Sequence, residues 1–326
     1  MKAIICKAYG SPENLQFREV DTPQPKPNEV LVRVHNAAVN AGDWHIIRAE
    51  PFMVRFMAGL FKPKYPILGS AIAGTVEAAG SDVSEFKVGD KVYGDLSDAG
   101  FGAFAEYVST PAAALAAMPE SLSFAEAAAL PVAATTAHMA LKHEAKLQAG
   151  EHVLINGASG GVGSFSVQIA KALGAEVTAV CSSRKIEMVK ALGADHVIDY
   201  TKEDFTESGQ QYDVIHAANG YHPLAHYKRA LTPTGRYIMT GGANKQLFEA
   251  MIRGPWLSEK NGRQLRMALN TANRDDLLLL NALADEGKLK PAIDRHFPLE
   301  ETPQAIRYLE EGKAEGKVIV DIVGGA

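Results

Sequence analysis

The chain has 326 residues, 47% of them apolar and 22% charged, with a formal net charge of −5. A length above about 250–300 residues exceeds what one hydrophobic core serves, so two domains are expected. The mild acidity gives no electrostatic basis for binding nucleic acid, and no apolar run reaches the length of a membrane span. Met1 to Lys7 is charged too early for a signal peptide, and the two cysteines, Cys6 and Cys181, have no partners nearby. A disulfide framework is excluded, and a reducing, cytoplasmic setting is expected.

Residues 1 to 110 read as short strands joined by proline-rich connections: Met1 to Ala8, Leu15 to Val20, Glu29 to Asn36, Ala71 to Ala79, Lys91 to Gly94 and Phe104 to Val108. Thr22 to Asn28, with three prolines, is a stiff connector, and the pattern suits a rolled, mostly antiparallel domain. Within it, Phe52 to Phe61 is a dense apolar segment, either a helix against the core or an apolar lining to a substrate cleft. Ser123-x-x-Glu126 is a capping box opening a helix from Phe124 to Leu130, and a second helical run spans Thr135 to Lys146.

The stretch from Glu151 to Gly174 carries the strongest signal. An apolar strand breaks into Gly157-x-x-Gly160-Gly161-x-Gly163 and resumes as a helix whose apolar face holds Val162, Phe165, Ile169 and Leu173. Strand, glycine turn and helix in this order open a dinucleotide-binding unit. The glycines admit a pyrophosphate, and the helix N-terminus offers unpaired N–H groups to it. Glu176 to Val180 is the second strand, and it ends in Cys181-Ser182-Ser183-Arg184-Lys185 with no acid before Glu187. A carboxylate at that point would hold the ribose hydroxyl of NADH. Two hydroxyls and two cations suit the 2′-phosphate of NADPH instead. Ser183 could equally cap the following helix, Arg184 to Leu192, and the two readings are compatible.

Strands at His196 to Ile198, Asp213 to His216 and Arg236 to Thr240, with a helix near Pro223 to Leu231, continue a doubly wound parallel sheet. Ligands sit at the carboxyl ends of such strands, which places Ala217, Ala218, Thr240, Gly241 and Gly242 on the cofactor side. Helices around Asp275 to Glu286 and Pro303 to Glu311 precede a closing strand, Lys317 to Val323, which alternates like the N-terminal strands and is expected to return to them.

From end to end the chain resembles the medium-chain dehydrogenase/reductase superfamily, in its zinc-free quinone oxidoreductase (zeta-crystallin-like) branch. The matching pieces are Asn40-Ala-Gly-Asp43, Pro66 to Glu77, Phe86 to Val92, Gly102 to Tyr107, Ala128 to Ala137, the glycine turn and Gly316-Lys317. The resemblance implies an α/β fold in which a β-rich GroES-like catalytic domain (1–123 and 265–326) accompanies a Rossmann domain (124–264). Zinc-dependent members carry a Cys in place of Asn40, a His-Glu pair in place of Ser70-Ala71 and a Cys near Val132. No metal ligand set remains here, and Asp43 and His45 read as turn and packing residues.

The implied activity is hydride transfer from NADPH to a quinone or to the C=C bond of an α,β-unsaturated carbonyl. The alternatives are a zinc-dependent alcohol dehydrogenase and an NADPH-binding sensor or structural protein with little turnover. The glycine turn, the end of the second strand, the carboxyl ends of the later strands and the resemblance together assign the cofactor to Asn40, Thr136, Gly157, Ser159, Gly160, Gly161, Val162, Gly163, Ser182, Ser183, Arg184, Lys185, Tyr200, Ala217, Thr240, Gly241, Gly242 and Lys317. For Tyr200 a plain strand-end aromatic, and for Lys317 a solvated cation, stay open. Asn40, Asp43, Tyr65 and Tyr93 are candidates for the substrate pocket, without an assigned proton donor. The partner is a small apolar quinone or enone, and the family leaves room for a homodimer.

Overall fold

The computed structural model describes residues 1–269, 271 and 274–322. The first elements are β1 (Lys2–Ile5), β2 (Gln16–Glu19), β3 (Glu29–Val39), α1 (Ala41–Arg48), α2 (Val54–Ala58), β4 (Ala71–Ala79), β5 (Lys91–Asp95), β6 (Tyr107–Pro111), β7 (Leu115–Ala117) and α3 (Phe124–Ala129). Next come α4 (Ala133–His138), β8 (His152–Asn156), α5 (Gly161–Ala172), β9 (Glu176–Cys181), α6 (Ile186–Ala191), β10 (His196–Asp199), β11 (Tyr212–Ala217), α7 (Leu224–Arg229), β12 (Leu231–Met239), α8 (Asn244–Leu257) and β13 (Gln264–Met267). The chain closes with α9 (Arg274–Asp285), β14 (Ile293–Pro298), α10 (Thr302–Glu310) and β15 (Lys317–Asp321); Val323, expected in this last strand, lies outside the described residues.

Two compact units result: Met1–Thr135 with Thr271–Ala326, and Thr136–Asn270. Both boundaries fall later than the expected 123/124 and 264/265. At the first, α3 packs on β3 and β4 through Ala129 against Ala38 and Ala71, so it belongs to the β-rich unit. At the second, β13 adds a parallel edge strand to β12 and keeps residues 264 to 267 in the Rossmann unit.

In the first unit a seven-stranded sheet runs β14-β15-β3-β4-β5-β7, with β6 also on β3. All its pairings are antiparallel except β14 with β15. The closing strand does return to the N-terminal strands, with Val318 opposite Val39. Its core gathers Val30, Val32, Val34, Ile72, Val92, Leu115, Val318 and Val320, the inward residues of alternating strands. The Ser123 capping box is formed: Glu126 Oε2 accepts the Ser123 N–H at 2.9 Å and Ser123 Oγ accepts the Glu126 N–H at 3.3 Å.

The apolar segment Phe52 to Phe61 departs from the expected helix against the core: only Val54–Ala58 is helical, Ala58 is its buried residue, and Phe56, Met57 and Phe61 are 71%, 84% and 88% exposed.

The second unit holds a six-stranded, wholly parallel sheet in the order β10-β9-β8-β11-β12-β13. Chain order reverses at β8, so the crevice where ligands bind in such sheets opens at the carboxyl ends of β8 and β11. The glycine turn follows β8 directly, which sets that turn at the crevice.

Candidate active site

The Rossmann unit builds its site around the turn between β8 and α5. Gly157 has φ +87°, and a Cβ there would lie 2.7 Å from Asn219 Cβ; at Gly163 a Cβ would lie 2.0 Å from the Gly157 carbonyl oxygen. Both glycines are demanded by the fold. Gly160 is not: its φ is −84°, open to any residue, and a Cβ would meet only the Gly157 oxygen at 3.5 Å. Gly160 is also the N-cap of α5 and offers no side chain to the first-turn N–H groups, which therefore lack partners within the helix. A glycine that the chain itself does not need, at an uncapped helix N-terminus, fits the close approach of a dinucleotide pyrophosphate. Ser159 is buried beside it, and Gly161 and Val162 are half-buried in the first turn.

The turn is stitched down by residues that sequence reading missed. Asn156 Nδ2 donates to the Asn219 carbonyl at 2.8 Å, and Tyr227 Oη donates to Asn156 Oδ1 at 3.1 Å. Gly241 and Gly242 lie opposite: a Cβ on either would fall 2.5 Å or less from the Ala218 or Gly220 oxygen, so this loop is held backbone to backbone beyond Ala217.

Thr240 takes part in a proton-wired chain. Ser166 Oγ donates to the Val162 carbonyl at 2.9 Å, so toward His216 Nδ1, at 3.0 Å, it can only accept. Nδ1 carries the proton, which leaves Nε2 to accept from Thr240 Oγ1 at 2.9 Å. His216 is wholly buried, and burial lowers its pKa to about 3, so the ring stays neutral. Thr240 thus spends its one hydroxyl proton inward and presents lone pairs elsewhere.

At the carboxyl end of β9 the sequence expectation needs amending. Ser183 does not cap α6; it opens a single 3₁₀ turn, Ser183–Lys185, and its hydroxyl donates a hydrogen bond to Asp199 Oδ2. Asp199 pairs with Cys181 in register, so a carboxylate does stand near this edge, contributed by β10 and invisible in the linear sequence. It accepts from Thr201 Oγ1 at 2.7 Å and lies 3.2 Å from Lys202 Nζ; hydrogen bonds from Ser183 and Thr201 hold its pKa well below the usual carboxylate range. Ser182 is half-buried, Arg184 exposed and Lys185 buried, so Arg184 and Lys202 present the outward cations. Tyr200 is half exposed, its ring 5.8 Å from that of Tyr221. Thr136 is buried near the start of the Rossmann unit.

In the β-rich unit, Asn40, Asp43 and Lys317 are brought together and joined by Asp95, which the sequence did not flag. Lys317 Nζ donates to Asn40 Oδ1 at 2.6 Å, and Asp43 Oδ2 accepts the Asn40 N–H at 2.7 Å. Lys317 is 2% exposed, so it is not a solvated cation. Burial lowers its pKa to about 8, against the pull of Asp43 and Asp95. Burial raises the Asp43 carboxyl to about 7, opposed by the Asn40 N–H and Lys317, and also raises Asp95. Asn40 is the N-cap of α1 and Asp43 its third helical residue; an Asn-x-x-Asp box of this kind is a helix-start signal that could have revealed α1.

This cluster yields a pH prediction. The unfolded chain releases the Asp43 proton near pH 4, whereas the folded chain holds it to about 7. The folded state binds more protons in between, so stability falls as pH rises across that window. Asp43→Asn keeps an acceptor for the Asn40 N–H without the charge. In denaturant unfolding, its stability relative to wild type should therefore grow between about pH 4 and pH 7, by on the order of 4 kcal/mol at most. A difference that does not vary with pH would contradict the assignment.

Two substrate-pocket candidates are not part of the cluster. Tyr93 is fully buried, its one hydroxyl proton facing two acceptors on α9, the Leu277 carbonyl at 2.9 Å and Asn281 Oδ1; it anchors α9 and is no pocket residue. Tyr65 instead lines a groove of about 800 Å³ with Arg18, Ile67, Gly100 and Tyr107, which none of the four cluster residues lines.

A catalytic zinc does not fit the positions at which the zinc-dependent pattern supplies ligands. Asn40, Ser70, Ala71 and Val132 bring no thiolate, imidazole or carboxylate, and the Asn40 amide is committed to Lys317 and the Ala38 carbonyl.

A Rossmann unit with a glycine-rich turn after its first strand and a GroES-like unit carrying a buried polar cluster are the two parts of a nicotinamide-dependent oxidoreductase. Comparisons with known proteins agree. Residues 26–120 match the alcohol dehydrogenase GroES-like domain and residues 192–320 the zinc-binding dehydrogenase domain. The chain is 36% identical to the chloroplast envelope quinone oxidoreductase homologue of Arabidopsis thaliana, over 98% of each chain. It is 32% identical to the chloroplastic NADPH-dependent alkenal/one oxidoreductase of the same plant, over 98% of this chain and 79% of that one. Among solved structures, the quinone oxidoreductase from Coxiella burnetii superposes with a TM-score of 0.87 at 31% identity, covering 99% of both chains. The chain belongs to the medium-chain dehydrogenase/reductase superfamily, in its zinc-free quinone oxidoreductase branch.

Proposed function

We propose that this protein is an NADPH-dependent reductase of quinones and α,β-unsaturated carbonyls that uses no metal at Asn40. The observation that carries the cofactor preference is the carboxyl end of β9. Ser182 and the exposed Arg184 follow the strand directly, Lys202 stands nearby, and the carboxylate of Asp199 is already engaged by Ser183, Thr201 and Lys202. Because Ser183 donates its proton to Asp199, a 2′-phosphate draws its hydrogen bonds from Ser182 and Arg184, the latter able to bind it through two N–H groups.

When bound, the reduced nicotinamide supplies a hydride. The chain's own residues bind, orient and shield. The glycine turn and the N-terminus of α5 take the pyrophosphate, and Thr240, its proton directed to His216, offers an acceptor to an amide N–H. Lys317 and Asp43 keep a positive and a negative group apart from bulk water. Both titrate close to neutrality, the range in which proton exchange is readiest. With no Lewis acid at Asn40 to stabilise an alkoxide, acceptors whose conjugation spreads the developing charge are favoured over simple carbonyls.

The names of the relatives agree with this substrate class, quinone oxidoreductase in one and alkenal/one oxidoreductase in another. Steady-state NADPH oxidation against matched para-quinones and alkenals is the test. The proposal expects turnover with one or both sets that survives chelator treatment. Oxidation of a simple alcohol that chelation abolishes would overturn it.

A further inference from the structure

Away from the glycine turn, the Rossmann unit gathers three ligand-type side chains to which neither the fold nor the proposed reaction assigns a role. Asp204 lies in the connection from β10 to β11, His222 between β11 and α7, and His226 on α7. One ligand atom from each lies within 4.8 Å of the other two. His222 Nε2 stands 3.6 Å from Asp204 Oδ1, too far for a hydrogen bond. His222 Nε2 and His226 Nδ1 are buried atoms without a hydrogen-bond partner among the described residues.

The surroundings are ordered. Asp204 Oδ1 accepts from the Thr206 N–H and hydroxyl, each at 2.8 Å. The Phe205 ring meets His222 edge-on at 5.3 Å, and Tyr227 Oη accepts the Tyr221 N–H at 3.1 Å and the His222 N–H at 3.4 Å. Buried ring nitrogens almost always find a partner, and two unpartnered ones beside the same carboxylate have in common what would satisfy them: a cation.

The geometry points to a binding site for a zinc-class divalent cation at Asp204, His222 and His226. Two imidazole nitrogens and one carboxylate oxygen suit Zn²⁺, Co²⁺ or Ni²⁺, whereas Mg²⁺ and Ca²⁺ prefer oxygen ligands throughout. Ligand bonds of about 2.0–2.2 Å require the three side chains to draw in by roughly 1 Å, and water completes the tetrahedron. The site shares no residue with the Asn40 cluster, and the proposed reaction makes no use of it. Its consequence is mechanical: it ties the residue 204 loop to the segment holding Tyr221, whose ring neighbours that of Tyr200.

Titration of the chelator-stripped full-length protein with Co²⁺ tests this. One equivalent should give the strong visible absorption of tetrahedral cobalt, Zn²⁺ should displace it, and either ion should raise the melting temperature. Asp204→Asn, His222→Gln and His226→Ala should each weaken Co²⁺ binding by more than roughly tenfold. Three separate variants keep the test decisive if one fails to fold. A featureless cobalt titration of the wild-type protein would overturn the site, and so would binding that all folded variants retain.

Discussion

Gly160→Val should abolish the binding of NADPH and NADH alike while leaving the fold intact. The backbone at Gly160 is already in a conformation that valine adopts, and among the described residues a Cβ would meet the Gly157 oxygen alone within 4 Å, at ordinary contact distance. The side chain would instead project into the space over the first turn of α5, where a pyrophosphate has to come within hydrogen-bonding distance of backbone N–H groups. The expected loss is at least about a thousandfold in affinity for either nucleotide, roughly 4 kcal/mol. Fluorescence titration measures it, and a thermal melt within a few degrees of wild type shows that the chain still folds. Gly163→Ala serves as the contrast, because its Cβ would collide with the Gly157 oxygen and the fold itself should fail. Retained nucleotide affinity in Gly160→Val would mean that the turn does not hold the pyrophosphate.

Arg184→Glu should separate the two nucleotides. The exposed guanidinium sits one turn past β9, and reversing its charge sets a second carboxylate near Asp199, at an edge where the 2′-phosphate is proposed to lie. Charge-assisted hydrogen bonds are lost and repulsion is added, so NADPH should weaken on the order of a hundredfold while NADH changes about threefold or less. Dissociation constants for both nucleotides decide the matter. Equal losses would remove the phosphate role from Arg184.

What could be read in the sequence shares one physical property: it is local. The glycine spacing from 157 to 163, the helical period of α5 and the Ser123 capping box are each set by residues within a few positions of one another, and all three stand in the structure. The parallel sheet followed from strands alternating with helices. Elements with weaker local signals escaped: β13 is four residues long, β14 carries charges within it, and α8 contains Gly254 and Pro255.

The candidate site shows the same division. Asn40, Asp43 and Lys317 were found through the resemblance, but that Lys317 is buried and bonded to Asn40, 277 positions away, is a tertiary fact. Asp95 joins them from the end of β5, and Asp199 reaches Ser183 from the neighbouring strand. Ser166, His216 and Thr240 are wired through a path that no spacing announces. Tyr93 misled for the matching reason: an aromatic hydroxyl in a strand looks available until the helix that accepts its proton is placed.

The central claim, reduction of a conjugated acceptor by hydride from a nicotinamide, is tested most directly by following the hydrogen itself. NADPH deuterated at the transferring position of the nicotinamide C4 is incubated with the protein and an α,β-unsaturated ketone, and the product is examined by NMR. Deuterium at the β-carbon is the predicted result; deuterium at the carbonyl carbon, or an unlabelled product, would contradict it.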